Sequence, residues 1–202
     1  MKVIEALLTS AGISPIAGVD EAGRGACAGP LVIASVVLND PFAPELAVVR
    51  DSKEIAENKR DAVFELIHQV AASVSVVIVP AHEVDSRGVH AANLDGMRRA
   101  VQGLSVEPAY VLTDGYAIEG LGVPNLAVWK GDQVVVSISA ASIIAKVTRD
   151  RIMREMDLEF PVYGFAGHKG YITAAHTQAL NEHGPCAQHR RSFANIAALI
   201  HK

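Results

Sequence analysis

The sequence predicts an α/β fold, with a mixed β-sheet flanked by α-helices and a C-terminal helical extension. The continuous β-branched run over Leu31–Leu38 is typical of a strand buried on both faces. Segments with apolar residues at helical spacing alternate with such runs along the chain. Two early strands joined by a tight loop, followed by this alternation, favour a sheet of mixed direction covered by helices.

The elements are predicted in chain order from these patterns. Strands are expected at residues 16–20, 31–38, 74–79, 109–113 and 126–129, and helices at 58–72, 90–104, 139–156, 173–182 and 193–200. Ser139 has the residue type of an N-cap for the long helix at 139–156. Gly184 with Pro185 is a typical stop for the helix at 173–182. We expect one domain over residues 1–202, with roughly 160–202 as its helical extension.

Composition narrows the class of protein. The chain has 202 residues, 50% hydrophobic and 20% charged, which is enough to bury a sizeable core. Its longest apolar runs are too short to cross a bilayer, and no signal peptide is recognised, so a protein without membrane contact is expected. The only cysteines, Cys27 and Cys186, favour a reduced cytoplasmic protein, and a monomer is the default expectation.

The net charge of −4 argues mildly against a protein that holds nucleic acid by bulk charge. The C-terminal third is locally basic, however, while the rest is acidic. This asymmetry leaves room for an acidic metal site beside a basic binding surface.

The most prominent motif is GVDEAGRG at residues 18–25, where Asp20 and Glu21 follow a short predicted strand. In a regular strand these two side chains would point to opposite faces. They converge on one ion only if the strand ends or bulges there, which Gly23 and Gly25 would permit. An exposed hairpin loop would explain the same residues taken alone.

Two further acids follow predicted strands, Asp114 before Gly115 and Asp132 after Gly131. Each alone is compatible with an ordinary turn. Taken with Asp20 they place a carboxylate at three strand ends, and neighbouring strand ends lie about 5 Å apart. Carboxylates suit hard cations such as Mg²⁺, and two ions about 4 Å apart can hydrolyse a phosphodiester.

Several basic and hydroxyl groups could then contact a nucleic-acid backbone. Ser139 at a helix start is a candidate phosphate site. The basic candidates are Lys53, Lys146, Arg149, Lys169, Arg190 and Arg191. Ordinary surface pairing is the alternative for each, and Lys146 has the i,i+4 spacing for an ion pair with Asp150.

Other residues are assigned no chemistry at this point. His168, His176, His183 and His189 do not match a standard zinc-ligand spacing. Trp129 and the phenylalanines are most simply core residues.

The motifs together resemble bacterial ribonuclease HII. The resemblance rests on segments that occur in the family's order across residues 18–193. They are GVDEAGRG at 18–25, DSK at 51–53, TDG at 113–115, KGD at 130–132, SAASIIAKVTRD at 139–150, YGFAGHKGY at 163–171 and HRRSF at 189–193.

The resemblance implies a ribonuclease H-like fold and an endonuclease. Its substrates would be RNA/DNA hybrids and duplex DNA containing ribonucleotides. It implies Mg²⁺ or Mn²⁺, two ions during catalysis, held by four catalytic acids: Asp20, Glu21, Asp114 and Asp132. The products would carry a 5′-phosphate on the ribonucleotide side and a 3′-hydroxyl on the other.

The resemblance also implies substrate contacts. Gly23, Arg24 and Gly25 would read the 2′-hydroxyl, which distinguishes RNA from DNA. Tyr171 would pack on the sugar after the ribonucleotide, while Ser139, Lys146 and Lys53 would hold phosphates. Two departures from the family pattern occur: Glu54 where a second basic residue is common, and Ala26-Cys27 after the Gly-Arg-Gly turn.

Two alternatives remain open. One is a related metal-dependent nuclease that cuts DNA alone, and the other is a non-catalytic hybrid-binding module on the same fold. Clustered acids argue against a pure phosphate binder, because without metal they repel phosphate. The Gly-Arg-Gly turn and Tyr171 argue for reading of the 2′-hydroxyl.

Overall fold

The computed structural model describes residues 3–49, 52 and 55–200. Within these residues, five strands form one sheet in the order β3-β2-β1-β4-β5. The strands are β1 (Ile16–Ala22), β2 (Leu31–Leu38), β3 (Ala71–Val79), β4 (Tyr110–Asp114) and β5 (Asn125–Val128). Each was predicted from the sequence to within a few residues at its ends.

The sheet is mixed, as predicted. The first three strands pair antiparallel, whereas β1, β4 and β5 run parallel. Parallel β1 and β4 carry their carboxyl ends to the same edge of the sheet, with Val19 paired to Thr113. This register brings the residues that follow, Asp20 and Asp114, side by side.

Helices flank the sheet. They are α1 (Val3–Ser10), α2 (Glu57–Val70), α3 (Ala81–Arg87), α4 (Val89–Gln102), α5 (Gly131–Val134), α6 (Val136–Glu159), α7 (Phe165–His168), α8 (Ala174–His183) and α9 (Ala194–Ile200), with 3₁₀ turns at Pro44–Val48 and Pro161–Tyr163. No helix in the part of the chain described here is long and apolar enough to cross a membrane.

Two apolar layers enclose the sheet. Alternate β2 residues such as Val32 and Ala34 pack with α2 and α6, while Leu31 and Ile33 pack with α4. Covering of both faces explains why all of β2 is buried and why its sequence shows no polar alternation.

The start of α6 differs from the prediction. The helix begins at Val136, and its first N–H groups donate to the buried carboxylate of Glu5, at 3.0 Å from Val136 N to Oε2 and 3.0 Å from Ser137 N to Oε1. Glu5 comes from α1, a helix that the patterns did not predict. Ser139 is therefore not the N-cap, because a distant carboxylate already fills that role.

Helix α6 approaches β1 closely at Gly18. A Cβ at this position would lie 2.1 Å from the Ser137 carbonyl carbon, so only glycine admits the helix there. This approach places α5, immediately before α6, over the carboxyl end of β1.

The C-terminal helices pack on the segment between β1 and β2. Cys27, Met153, Tyr163, Phe165 and other residues form one buried cluster. Helix α8 begins within a residue of its predicted start at 173, and Thr173 is its N-cap, with the hydroxyl accepting from His176 N–H at 3.1 Å.

Candidate active site

Three carboxylates from separate elements meet at one edge of the sheet. Oxygen atoms of Asp20 in β1, Asp114 in β4 and Asp132 in α5 all lie within 4.8 Å of one another. Asp20 and Asp132 are buried and Asp114 is half-buried. Asp132 occupies a helical turn rather than a strand end. The three carboxylates nevertheless come together as the sequence pattern suggested.

Strand alternation explains the convergence. Asp20 is on the same face of β1 as Gly18, and Asp114 is on the same face of β4 as Leu112. That face packs against α6, since Gly18 touches Ser137 and Leu112 clusters with Val135 and Ile138. Asp132 lies in α5, immediately before α6, and its carboxylate meets those of Asp20 and Asp114.

Glu21 is near these acids but is not one of the three whose oxygen atoms meet within 4.8 Å. β1 neither ends nor bulges here: Asp20, Glu21 and Ala22 pair regularly with Ala34, Ile33 and Val32. The Glu21 side chain therefore projects from the face of the strand opposite to Asp20. It lines the clefts beside the acids. The bulge that would have brought it together with Asp20 is absent.

Backbone groups hold the acids in place. Gly131 N–H donates to Asp114 Oδ1 at 2.7 Å, and Glu21 N–H donates to Asp20 Oδ1 at 2.7 Å. The buried Ser139 hydroxyl donates to the Asp132 carbonyl at 2.6 Å. These hydrogen bonds fix the positions of the three acids relative to one another.

The acids also repel one another. Burial first, and then the charges of Glu21, Asp114 and Asp132, raise the pKa of Asp20 well above its ordinary value. A cation at this point would relieve both costs, and a set of oxygen donors suits a hard divalent ion. The residues present therefore fit the metal that the motifs implied.

A cleft of about 390 Å³ opens beside the acids. It is lined by the Gly23–Gly25 turn, Lys146 and Tyr171 as well as by Asp20, Glu21 and Asp114. Acidic, basic, backbone and aromatic groups thus share one surface, which is the combination expected for a phosphodiester substrate.

A family model described as Ribonuclease HII matches residues 17–196. The chain belongs to the ribonuclease HII family. Ribonuclease HII of Mycolicibacterium smegmatis is 55% identical over 196 residues, which is 97% of this chain and 72% of that protein. The chain is accordingly a ribonuclease H endonuclease, and the family is metal-dependent.

Solved structures of this family agree in fold. The ribonuclease H2 from Pyrococcus horikoshii OT3 superposes with a TM-score of 0.79 at 26% identity, covering 91% of this chain and 96% of that one. The ribonuclease HII in a PCNA complex from Archaeoglobus fulgidus gives 0.76 at 26% identity, covering 87% and 93%.

The sequence suggested Arg149 and Arg190 as contacts to the nucleic-acid backbone. Both are instead buried and support loops of the protein itself. Arg149 donates to the carbonyls of Pro30, Lys169 and Ala28 at 2.9, 2.8 and 3.1 Å. Arg190 donates to the carbonyls of Gly29 and Arg24 at 3.1 Å each. Fully buried guanidinium groups cannot follow a nucleic-acid strand, so these two hypotheses are wrong.

Ser139 is also placed differently from the expectation for a phosphate contact. It is buried three residues inside α6, and its hydroxyl is committed to the carbonyls of Asp132 and Val135. The helix terminus that should have bound phosphate is occupied by Glu5. Lys53, the other predicted phosphate contact, lies outside the described residues.

Lys146 and Tyr171 both reach the cleft. Lys146 pairs with the buried Asp150 at 2.7 Å, so the ion pair suggested by spacing and a position in the cleft coexist. Tyr171 is exposed, and its ring lies 5.6 Å from the guanidinium carbon of Arg149.

Behind Tyr171 lies a histidine network that the sequence did not reveal. His176 Nδ1 is 2.9 Å from the Tyr171 carbonyl, His189 Nε2 is 3.0 Å from His176 Nε2, and Cys186 N–H donates to His189 Nδ1 at 3.0 Å. These partners are satisfied when both rings are neutral, with the proton on His176 Nδ1 and on His189 Nε2. Their separation in sequence gives no local signal for this contact.

Trp129 contradicts its predicted place in the core. Its side chain is 82% exposed and lines a second cleft that contains Asp114 and Asp132.

Proposed function

We propose that this chain hydrolyses the RNA strand of RNA/DNA hybrids and nicks duplex DNA on the 5′ side of embedded ribonucleotides. The observation that carries the proposal is the meeting of Asp20, Asp114 and Asp132 within 4.8 Å beside the Gly23–Gly25 turn. Membership of the ribonuclease HII family supports it.

In this proposal, Asp20, Asp114 and Asp132 hold Mg²⁺ or Mn²⁺, and Glu21 completes the set from the neighbouring cleft wall. Two bound ions would supply a nucleophilic hydroxide and neutralise the developing charge on the leaving oxygen. Cleavage then leaves a 5′-phosphate on the ribonucleotide and a 3′-hydroxyl on the preceding nucleotide.

The cleft supplies selectivity for RNA. The Gly23–Gly25 turn presents backbone groups to the 2′-hydroxyl, and Gly25 has no atom within 4 Å of where a Cβ would stand. Tyr171 packs on the following sugar, where a deoxyribose fits, and Lys146 contacts a phosphate. The substrates are therefore RNA/DNA hybrids and duplexes with single ribonucleotides.

The test is cleavage of a duplex that carries one ribonucleotide, with an all-DNA duplex of the same sequence alongside. With Mg²⁺ or Mn²⁺ we expect one nick, 5′ of the ribonucleotide, and no cutting of DNA alone. Asp20→Asn should abolish the nick with an unchanged circular dichroism spectrum. Asp61→Asn is the matched control, since Asp61 lies on the surface of α2 and pairs with Arg151.

Equal cutting of both duplexes would replace this proposal with a DNA nuclease. Binding of the hybrid without cutting in either metal would replace it with a binding module. We further propose a cytoplasmic location, supported by the free thiols of Cys27 and Cys186. We also propose a monomer, which light scattering tests.

A further inference from the structure

We propose that Trp129 binds the strand being cut, stacking on a nucleotide that lies 5′ of the one bearing the leaving 3′-oxygen. This inference rests on the proposed function and adds a substrate contact to it. Trp129 would act opposite Tyr171, with the metal-binding acids between them.

The first support is the exposure of the indole. At 82% exposed, Trp129 leaves one of the largest apolar side chains in contact with water. Contact with a ligand would remove a large apolar area of the indole from water, and tryptophan is enriched at interfaces for this reason.

The second support is the anchoring of its backbone. On one side, Gly115 N–H donates to the Val128 carbonyl at 3.1 Å. On the other, Gly131 N–H donates to Asp114 Oδ1 at 2.7 Å, and Lys130 is held in the left-handed region at φ 52°. The bonds that position the Asp114 carboxylate therefore also hold the backbone on both sides of Trp129, which keeps this residue beside the acids.

The third support is the continuity of the two clefts. The Trp129 cleft, of about 540 Å³, shares Glu21, Arg24 and Asp114 with the cleft that holds Tyr171. Asp20 lines only the Tyr171 cleft and Asp132 only the Trp129 cleft. A strand with its scissile phosphate at the acids would thus pass from one cleft into the other.

The fourth support is the chemistry of the cleft. Arg24 and Lys130 supply positive charge, and the Arg24 guanidinium already lies over the Tyr116 ring, 4.5 Å from its centroid. Cationic groups beside an aromatic face are the usual surface for an unpaired or splayed nucleotide, because every base has a π-face. Tyr171 is assigned to the sugar after the ribonucleotide, which lies on the 3′ side of the scissile phosphate. Trp129 lines the other cleft and is therefore assigned to the 5′ side.

The experiment compares Trp129→Ala and Trp129→Phe with the unaltered enzyme on a duplex containing one ribonucleotide. Trp129→Ala should raise KM about tenfold with kcat changed by less than about threefold, while Trp129→Phe should stay within about threefold of the unaltered KM. Leu158→Ala is the matched control, because Leu158 is equally exposed, at 84%, but lies near the far end of α6. It should leave KM unchanged.

Shortened duplexes locate the contact. A duplex with a single nucleotide 5′ of the scissile phosphate should lose the effect of Trp129→Ala, whereas one shortened on the 3′ side should keep it. The sequence has only one tryptophan, so its fluorescence in the Asp20→Asn background should also change on titration with uncut duplex.

An unchanged KM for Trp129→Ala would overturn the inference while cutting by the unaltered enzyme leaves the proposed function standing. Equal losses on both shortened duplexes, or a lowered unfolding temperature in both Trp129 variants, would also overturn it by showing a structural role. No cutting by the unaltered enzyme would overturn the proposed function and this inference together.

Discussion

At the scale of single residues, the two glycines of the Gly-Arg-Gly turn have different roles. Gly23 has φ +86°, and a Cβ there would lie 1.9 Å from Arg149 Nε. Gly25 is exposed, with open space where a Cβ would stand. The first glycine is required by the fold, whereas the second leaves the backbone accessible to a ligand.

We therefore expect opposite results from the two alanine substitutions. Gly23→Ala should lower the free energy of unfolding by about 1–3 kcal/mol, because of backbone strain and the clash with Arg149. Gly25→Ala should change stability by less than about 0.5 kcal/mol, yet reduce cutting at a ribonucleotide about tenfold or more by displacing the substrate. Urea denaturation and initial rates measure the two effects. Loss of stability in Gly25→Ala would contradict this division.

Without bound metal, the charged Asp20 side chain destabilises the native state. Its raised pKa means that burial and the neighbouring acids disfavour the charged form in the native state. The native state therefore binds a proton more readily than the unfolded chain, and stability falls as pH rises through the raised pKa.

In EDTA at pH 7, Asp20→Asn should increase the free energy of unfolding by about 1 kcal/mol, the ordinary size of a single-site effect. The gain should shrink as pH falls and Asp20 becomes protonated. With Mg²⁺ or Mn²⁺ the order should reverse, because only the aspartate gains fully from metal binding. Urea denaturation in both buffers measures this, and an Asn variant that is less stable in EDTA would count against it.

At the scale of secondary-structure elements, the loops that form the cleft are supported from behind. Arg149 of α6 binds carbonyls both in the segment before β2 and at Lys169, next to the Gly170–Tyr171 turn. Cys27 N–H donates to the Gly170 carbonyl at 3.0 Å. The two loops that line the cleft are thus joined to each other and to the helix that follows Asp132.

The His176–His189 pair completes this support and requires neutral rings. Burial, and then the neighbouring His176, lower the pKa of His189 to about 4 from 6.5. Between these values the unfolded chain binds a proton that the native state does not. The contribution of His189 to the free energy of unfolding is therefore fully present above about pH 6.5 and is lost as the pH falls toward 4.

We expect the free energy of unfolding to fall by about 1 kcal/mol or more between pH 7 and pH 5 from this group. His189→Gln should reduce that pH dependence, whereas His82→Gln, on the exposed surface of α3, should not. Urea denaturation across this pH range provides the measurement. Identical pH dependence in the two variants would show that the buried histidine is not responsible.

At the scale of the whole molecule, the C-terminal helices share a buried cluster with α6 and the segment after the Gly-Arg-Gly turn. Phe165, Leu180 and Ile196 pack there with Cys27 and Met153. A single domain that includes residues 160–202 stays a prediction, and this packing supports it.

Native-state hydrogen exchange tests the prediction directly. If the chain is one cooperative unit, the slowest amides of α8 should exchange with the same opening free energy as those of α6, within about 1 kcal/mol. An α8 that opens several kcal/mol more easily would identify the extension as a separate unit.

The sequence by itself determined the strands, the longer helices, the mixed sheet and the family. These follow from periodicity and from motifs, which are local properties of neighbouring residues. The patterns also selected Asp20, Asp114 and Asp132, whose convergence follows from the parallel register of β1 and β4 and the placement of α5.

Only the tertiary structure decided which polar groups face the cleft and which support it. Arg149, Arg190 and Ser139 have the residue types of phosphate contacts, yet burial commits them to backbone carbonyls. Trp129 has the type of a core residue, yet it lies in water beside the acids. A residue's type sets which bonds it can make, but whether a helix, a carbonyl or solvent stands opposite depends on segments distant in sequence.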